Sequence, residues 1–82
     1  MKRIYKYVVG KDIVKAPIKR FLDAQMQDGH IVVWAEVDTD YPEQSYALWA
    51  RWTGEPFLDG IYIGTVQDGW VVYHIYAVES ME

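Results

Sequence analysis

His30 and His74 are the two histidines of the chain and cysteine is absent, so a zinc site would need carboxylates for its remaining ligands. No HxH or HxxxH spacing brings the histidines together. His30 stands beside a tight turn, where solvent is its expected partner. His74 lies in the apolar run VVYHIY, where a hydrogen-bonded packing role is expected. Asp38-Thr39-Asp40 followed by Glu43 hints at a calcium loop, but the glycine at loop position six and the closing bidentate glutamate are missing. Ser45 and Ser80 have no nucleophile-elbow context, and no glycine-rich loop is built to cradle phosphate. These absences lead to the expectation of a non-enzyme with no catalytic residues, no metal and no cofactor.

Binding is the chemistry that the residue types favour. The chain holds four Trp, seven Tyr and two Phe. Aromatic planes near Arg or Lys hold bases and nucleotides, by stacking on the ring and pairing with the phosphate. Trp34, Trp49, Arg51, Trp70, His74 and Tyr76, with Lys19 and Arg20, form the candidate ligand-binding set. The competing reading makes the same aromatics the second half of a small core or an oligomer interface, since each can bury ~150–250 Å².

The elements that position these residues are strands. Arg3–Val9 and Asp12–Ala16 read as two extended pieces that Gly10-Lys11 would join as a hairpin. The segment 17–27 is ambiguous, because Ile18, Phe21, Leu22, Gln25 and Met26 also fall at helical spacing. A strand is preferred because Asp28-Gly29 leads directly into the strand His30–Val37, as a two-residue hairpin would. Ser45–Trp52, Ile61–Gln67 and Trp70–Val78 complete the set. The expected fold is all-β and mostly antiparallel, a small sheet or sandwich of about six strands with two Asp-Gly hairpins. The alternative is an α+β fold with one short helix at 17–27.

Gln-Asp-Gly occurs twice, at 27–29 and 67–69. Asp-Gly favours the type I′ turn, which needs positive φ at both central residues. On that basis residue 27 pairs with 30 and residue 67 with 70. One face of the first hairpin is then Leu22, Ala24, Met26, Ile31, Val33, Ala35 and Val37, cleanly apolar and assigned to the core. Its reverse carries Phe21, Asp23, Val32, Trp34 and Glu36. In the second hairpin Tyr62, Gly64, Val66, Val71, Tyr73, Ile75 and Ala77 share the core side, with Ile61, Ile63, Thr65, Trp70, Val72, His74 and Tyr76 on the reverse. Both of its faces are apolar or aromatic, which points to a covering layer or a partner subunit.

Length allows one domain, residues 1–82, with a thin stability margin, and self-association is one way to widen it. No apolar run of about 18 residues is present, so no membrane span is expected, and a cytoplasmic location is the default. Residues 1–20 hold seven of the eight bases and one acid, while eleven acids and Arg51 lie beyond. That asymmetry suits an anionic partner at the basic end, or charge pairing inside the monomer. The overall acidity disfavours duplex nucleic acid.

The stretches KYVVGKDIVKAPIKRFLDAQMQDGHIVVWAEVD, WTGEP and YIGTVQDGWVVYHIY resemble a small family encoded by tailed phages and prophages. The resemblance spans nearly the whole chain. That family has no assigned activity, so no functional residue carries over from it, although it favours the strand at 20–27. It implies a phage accessory protein acting in the cytoplasm of an infected bacterium. The expected role is countering host defence by binding, as a homo-oligomer that sequesters a nucleotide-like immune signal. The runners-up are an acidic inhibitor of a host defence or nucleic-acid-binding protein, and a virion or assembly component.

Overall fold

The computed structural model describes residues 1–10, 13–56 and 59–80, and none of them forms a helix. Seven strands build two antiparallel sheets. They are β1 (Lys2–Val8), β2 (Val14–Ala16), β3 (Ile18–Gln27), β4 (His30–Asp38), β5 (Gln44–Trp52), β6 (Ile61–Asp68) and β7 (Val71–Glu79). One sheet has the order β1-β4-β3 and the other β2-β5-β7-β6. The fold is all-β, and the segment that helical spacing left open is the strand β3.

Pro17 stands between β2 and β3, which belong to different sheets, so the chain changes layers there. A proline suits that corner because it donates no ladder hydrogen bond; its carbonyl accepts from the Asp38 amide at 3.0 Å. The expected β1–β2 hairpin does not form, because β1 pairs with β4 and β2 with β5. Lys11 and Asp12, which that hairpin would have used, lie outside the described residues.

The core lies between the sheets. Val33 in β4 and Ile75 in β7 are fully buried, each on a strand interior to its sheet. Ala24, Ala35 and Ala77 around them are small, and β3 comes close over β6, where a Cβ built on Gly64 would touch the Ala24 Cβ at 3.9 Å. Phe21 and Tyr46 meet edge-to-face across the layers, with ring centroids 5.2 Å apart.

Two bulges revise the expected faces. The β3–β4 ladder runs in the expected register from Gln27↔His30 to Asp23↔Trp34, then shifts so that Phe21 stands opposite Ala35. An extra residue in one strand reverses the inside–outside alternation beyond it. Phe21 therefore packs on the core, and Leu22, expected inside, is exposed. In β6 a shift between Tyr62 and Gly64 does the same: Ile63 packs against the core, and Tyr62, expected inside, is exposed.

The second Gln-Asp-Gly is also used differently from expectation. Asp68 is paired with Val71 and Gln67 with Val72, so the loop residues are Gly69 and Trp70. Gly69 has φ 59°, whereas Trp70 has no positive φ, which matches a type II′ turn with glycine first. Asp28 and Gly29, at φ 51° and 80°, form the expected type I′ turn. The displaced register moves each pairing by two residues, so Thr65, His74, Val66 and Tyr73 keep their expected faces.

Candidate functional site

The outer face of the four-stranded sheet gathers four of the eight candidate residues. Trp49 of β5 stands opposite Tyr76 of β7, and Tyr76 opposite Tyr62 of β6. The next row is Arg51, His74 and Thr65. The ladder alone sets these rows, because directly opposed residues share a face with Cβ atoms ≈ 4.5–5.5 Å apart. Trp49 is 50% exposed and Tyr62 51%. The Tyr62 and Tyr76 rings meet edge-to-face at 5.4 Å, leaving Trp49 as an open plane at the other end of the row.

A chain of polar contacts crosses the second row. His74 Nε2 lies 2.9 Å from Thr53 Oγ1, and His74 Nδ1 lies 3.3 Å from Thr65 Oγ1, which in turn contacts the Tyr62 hydroxyl. A hydroxyl on each ring nitrogen holds the imidazole plane, since either hydroxyl can donate or accept. Arg51 Nη1 pairs with Glu55 Oε2 at 3.6 Å, while its Nε is buried without a hydrogen-bond partner. Glu55 Oε1 also accepts from the Trp52 amide at 2.7 Å, so the turn after β5 anchors the carboxylate that faces the guanidinium.

The other four candidates lie elsewhere. Trp70 is at the tip of the β6–β7 turn and fully exposed. With Trp52, Thr53, Val71 and Val72 it lines a recess of about 260 Å³. Trp34 is on the outer face of the three-stranded sheet, opposite Lys6 and Asp23. Lys19 and Arg20 are on that sheet as well, and both bind Glu36: Arg20 Nε to Oε1 at 3.0 Å and Lys19 Nζ to Oε2 at 3.5 Å. Lys19 also stands 5.9 Å from the centroid of the Tyr41 ring. These two bases neutralise an acid of their own sheet and do not join the aromatic row.

Glu36 shows the strength of that local pairing. Burial by itself would raise its carboxyl, but the Arg20 hydrogen bond and the charges of Arg20 and Lys19 outweigh it and hold the group below its ordinary value of 4.5. Burial also raises the Tyr7 and Tyr46 hydroxyls, assisted by Tyr5 and Glu79 respectively. Among the described residues no three His, Asp or Glu side chains converge as metal ligands.

Sequence reasoning omitted Tyr62, Thr65 and Thr53 from the site. Tyr62 was hidden by the bulge, which no alternation pattern reveals. Thr65 and His74 were both placed on the reverse face of the hairpin, so their proximity was legible; Thr53, in the turn after β5, had no such signal.

A family described as a domain of unknown function (DUF7352) matches residues 1–82. The chain belongs to the DUF7352 family. No curated protein and no solved structure matches it. The match covers all seven strands, so the aromatic row, the His74 contacts and the Glu36 cluster all fall inside the DUF7352 domain. Among the described residues there is no helix long and apolar enough to cross a membrane.

Proposed function

We propose that this DUF7352 chain is a non-enzymatic binding protein whose ligand, a small planar anion of nucleotide type, lies on the outer face of the four-stranded sheet. The observation that carries this reading is the pair of adjacent cross-strand rows, Trp49–Tyr76–Tyr62 and Arg51–His74–Thr65. The first offers a stacking surface and the second offers hydrogen-bonding groups and a cation, at the spacing of neighbouring residues on one face. Stacking a base on an exposed aromatic is worth roughly 1–3 kcal/mol. A phosphate would take the place of Glu55 on the Arg51 guanidinium in a charge-assisted pair.

The recess of about 260 Å³ beside Trp52 and Trp70 is smaller than the ≈ 300–1,000 Å³ that encloses a drug-sized molecule. A second copy of the chain, seated over exposed Trp49 and Tyr62, would close the site. The resemblance to tailed-phage and prophage proteins supports a setting in the cytoplasm of an infected bacterium, with the ligand an immune signal held away from its receptor.

Thermal-shift measurements against cyclic di- and trinucleotides and ADP-ribose derivatives test the reading. A ligand at 100 times its Kd stabilises by ≈ 2.7 kcal/mol, which raises the midpoint of an ~80-residue domain by roughly 15 °C. Trp49→Ala and Arg51→Ala should each cut the shift by about a third or more. No shift with any compound overturns the ligand reading.

A further inference from the structure

The two sheets have four edges, and three of them are poor templates for another strand. β2 is three residues long and runs into Pro17. The ladder of β3 on β4 contains two register shifts, and that of β6 on β7 contains one. Shortness, proline and bulges are the usual ways in which proteins blunt exposed edges. β1 has none of these three, and its guard is charge, in Lys2, Arg3 and Lys6. It pairs with β4 without a shift over seven residues, from Lys2↔Asp38 to Val8↔Val32.

The pairing also shows which groups of β1 face outward. The Val9 amide donates to the Ile31 carbonyl and the Thr39 amide to the Met1 carbonyl, so odd-numbered residues exchange hydrogen bonds with β4. In an antiparallel ladder the alternate residues turn their N–H and C=O away from the partner. Those are Lys2, Ile4, Lys6 and Val8, on a side where the described residues supply no strand. Ile4 is 64% exposed on one face of β1 and Tyr5 46% on the other, so both faces offer apolar contact.

Charge selects the occupant. Lys2, Arg3 and Lys6 make no ion pair among the described residues, whereas Lys15, Lys19, Arg20 and Arg51 each do. Arg3 is bonded to the Met1 sulfur and Lys6 to Gln27 instead. Three unneutralised cations on one strand repel a second β1 and attract an acidic strand. Lys2, Arg3 and Ile4, with Glu36, also line a recess of about 360 Å³ beside this edge. Glu36 is already held by Lys19 and Arg20, which leaves the two β1 cations to receive an acidic side chain there.

We propose that β1 is a docking edge that accepts an extended, acidic segment of another protein as a fourth strand of the three-stranded sheet. Main-chain hydrogen bonds to Lys2, Ile4, Lys6 and Val8 supply affinity, and the cations set the preference for acidic sequence. This site is on a different sheet from the Trp49–Tyr76 row and does not depend on it.

The test uses the full chain and a fluorescein-labelled peptide alternating glutamate with valine over seven residues, followed by fluorescence anisotropy. Binding is expected, weakening at least tenfold between about 50 and 500 mM salt as the charges are screened. The same peptide with lysine for glutamate should not bind. Ile4→Pro removes an outward N–H that bonds nothing within the sheet, so it should leave the thermal midpoint close to wild type and weaken binding at least tenfold. Lys2→Glu with Lys6→Glu should do the same through charge. Amide exchange at Lys2, Ile4, Lys6 and Val8 should slow on peptide addition. Absence of binding overturns the proposal, as does equal binding by Ile4→Pro or unchanged exchange at those amides. Concentration-dependent dimerisation of the protein alone, abolished by Ile4→Pro, would assign the edge to a second copy and also overturn it.

Discussion

In the β3–β4 hairpin Asp28 and Gly29 are both turn residues at positive φ, while in the β6–β7 hairpin Asp68 is still in the strand and the turn is Gly69-Trp70. The glutamines diverge as well. Gln27 accepts from Lys6 Nζ of β1 at 2.5 Å, tying its hairpin to the neighbouring strand, whereas Gln67 donates to the Gly69 carbonyl of its own turn at 3.2 Å. One tripeptide thus serves two turn types and two hydrogen-bonding roles. What differs is register, and register is a property of the pair of strands. What the hairpins share lies farther from the turn: each has a bulge that turns an aromatic or aliphatic side chain over, placing Phe21 in and Leu22 out, Ile63 in and Tyr62 out.

The most forceful way to break this comparison is at the first bulge. Phe21→Ala should cost about 2–3 kcal/mol, less than for a fully buried phenylalanine, while Leu22→Ala costs under about 1 kcal/mol. Urea unfolding measures both, and equal losses would mean that the bulge is misplaced. The turns themselves give a smaller effect. Asp28→Ala puts an ordinary residue at φ 51° and should cost roughly 1 kcal/mol, whereas Asp68→Ala, at a surface strand position, should stay within about 0.5 kcal/mol. Matching costs in the two aspartates would restore the idea of one turn used twice.

The mildest contrast is in acid. Arg20 and Glu36 face each other across the first hairpin beyond its bulge, and among the described residues no ion pair joins β6 to β7. Because the folded state holds the Glu36 carboxyl below 4.5, the unfolded chain takes up that proton first as pH falls. The stabilisation is therefore present above about pH 4.5 and is lost as pH drops through the lower, folded value. Urea midpoints at about pH 7 and pH 3 should differ less in Glu36→Gln than in wild type, and amide protection should fade in the first hairpin before the second. An unchanged acid response in the variant would remove Glu36 from this role.

Much of the architecture was legible. The Asp-Gly pair beside β-branched alternation gave the first hairpin with its register near the turn, and it favoured a strand over a helix at 17–27. Ala24, Val33, Ala35, Val37, Ile75 and Ala77 were assigned to the inside, and all are buried. His74, Tyr76, Trp49 and Arg51 belonged to the eight-residue candidate set, and the β5–β7 ladder places these four side by side. Trp34, Lys19 and Arg20 shared the same residue chemistry but stand on the other sheet, and Trp70 stands at the tip of the β6–β7 turn.

Local sequence determined the strands, the turn chemistry and the two-residue period that sorts side chains by face, because these depend on each residue and its near neighbours. Tertiary structure decided the rest. Sliding a pairing by two residues leaves every side chain on its face, so alternation cannot distinguish a turn at Asp68-Gly69 from one at Gly69-Trp70. A bulge adds one residue to one strand, and only the partner strand and the opposing layer determine where it is accommodated. The placement of β2 in the other sheet leaves β1 with a single neighbour strand among the described residues, which the two-residue period of its side chains does not reveal.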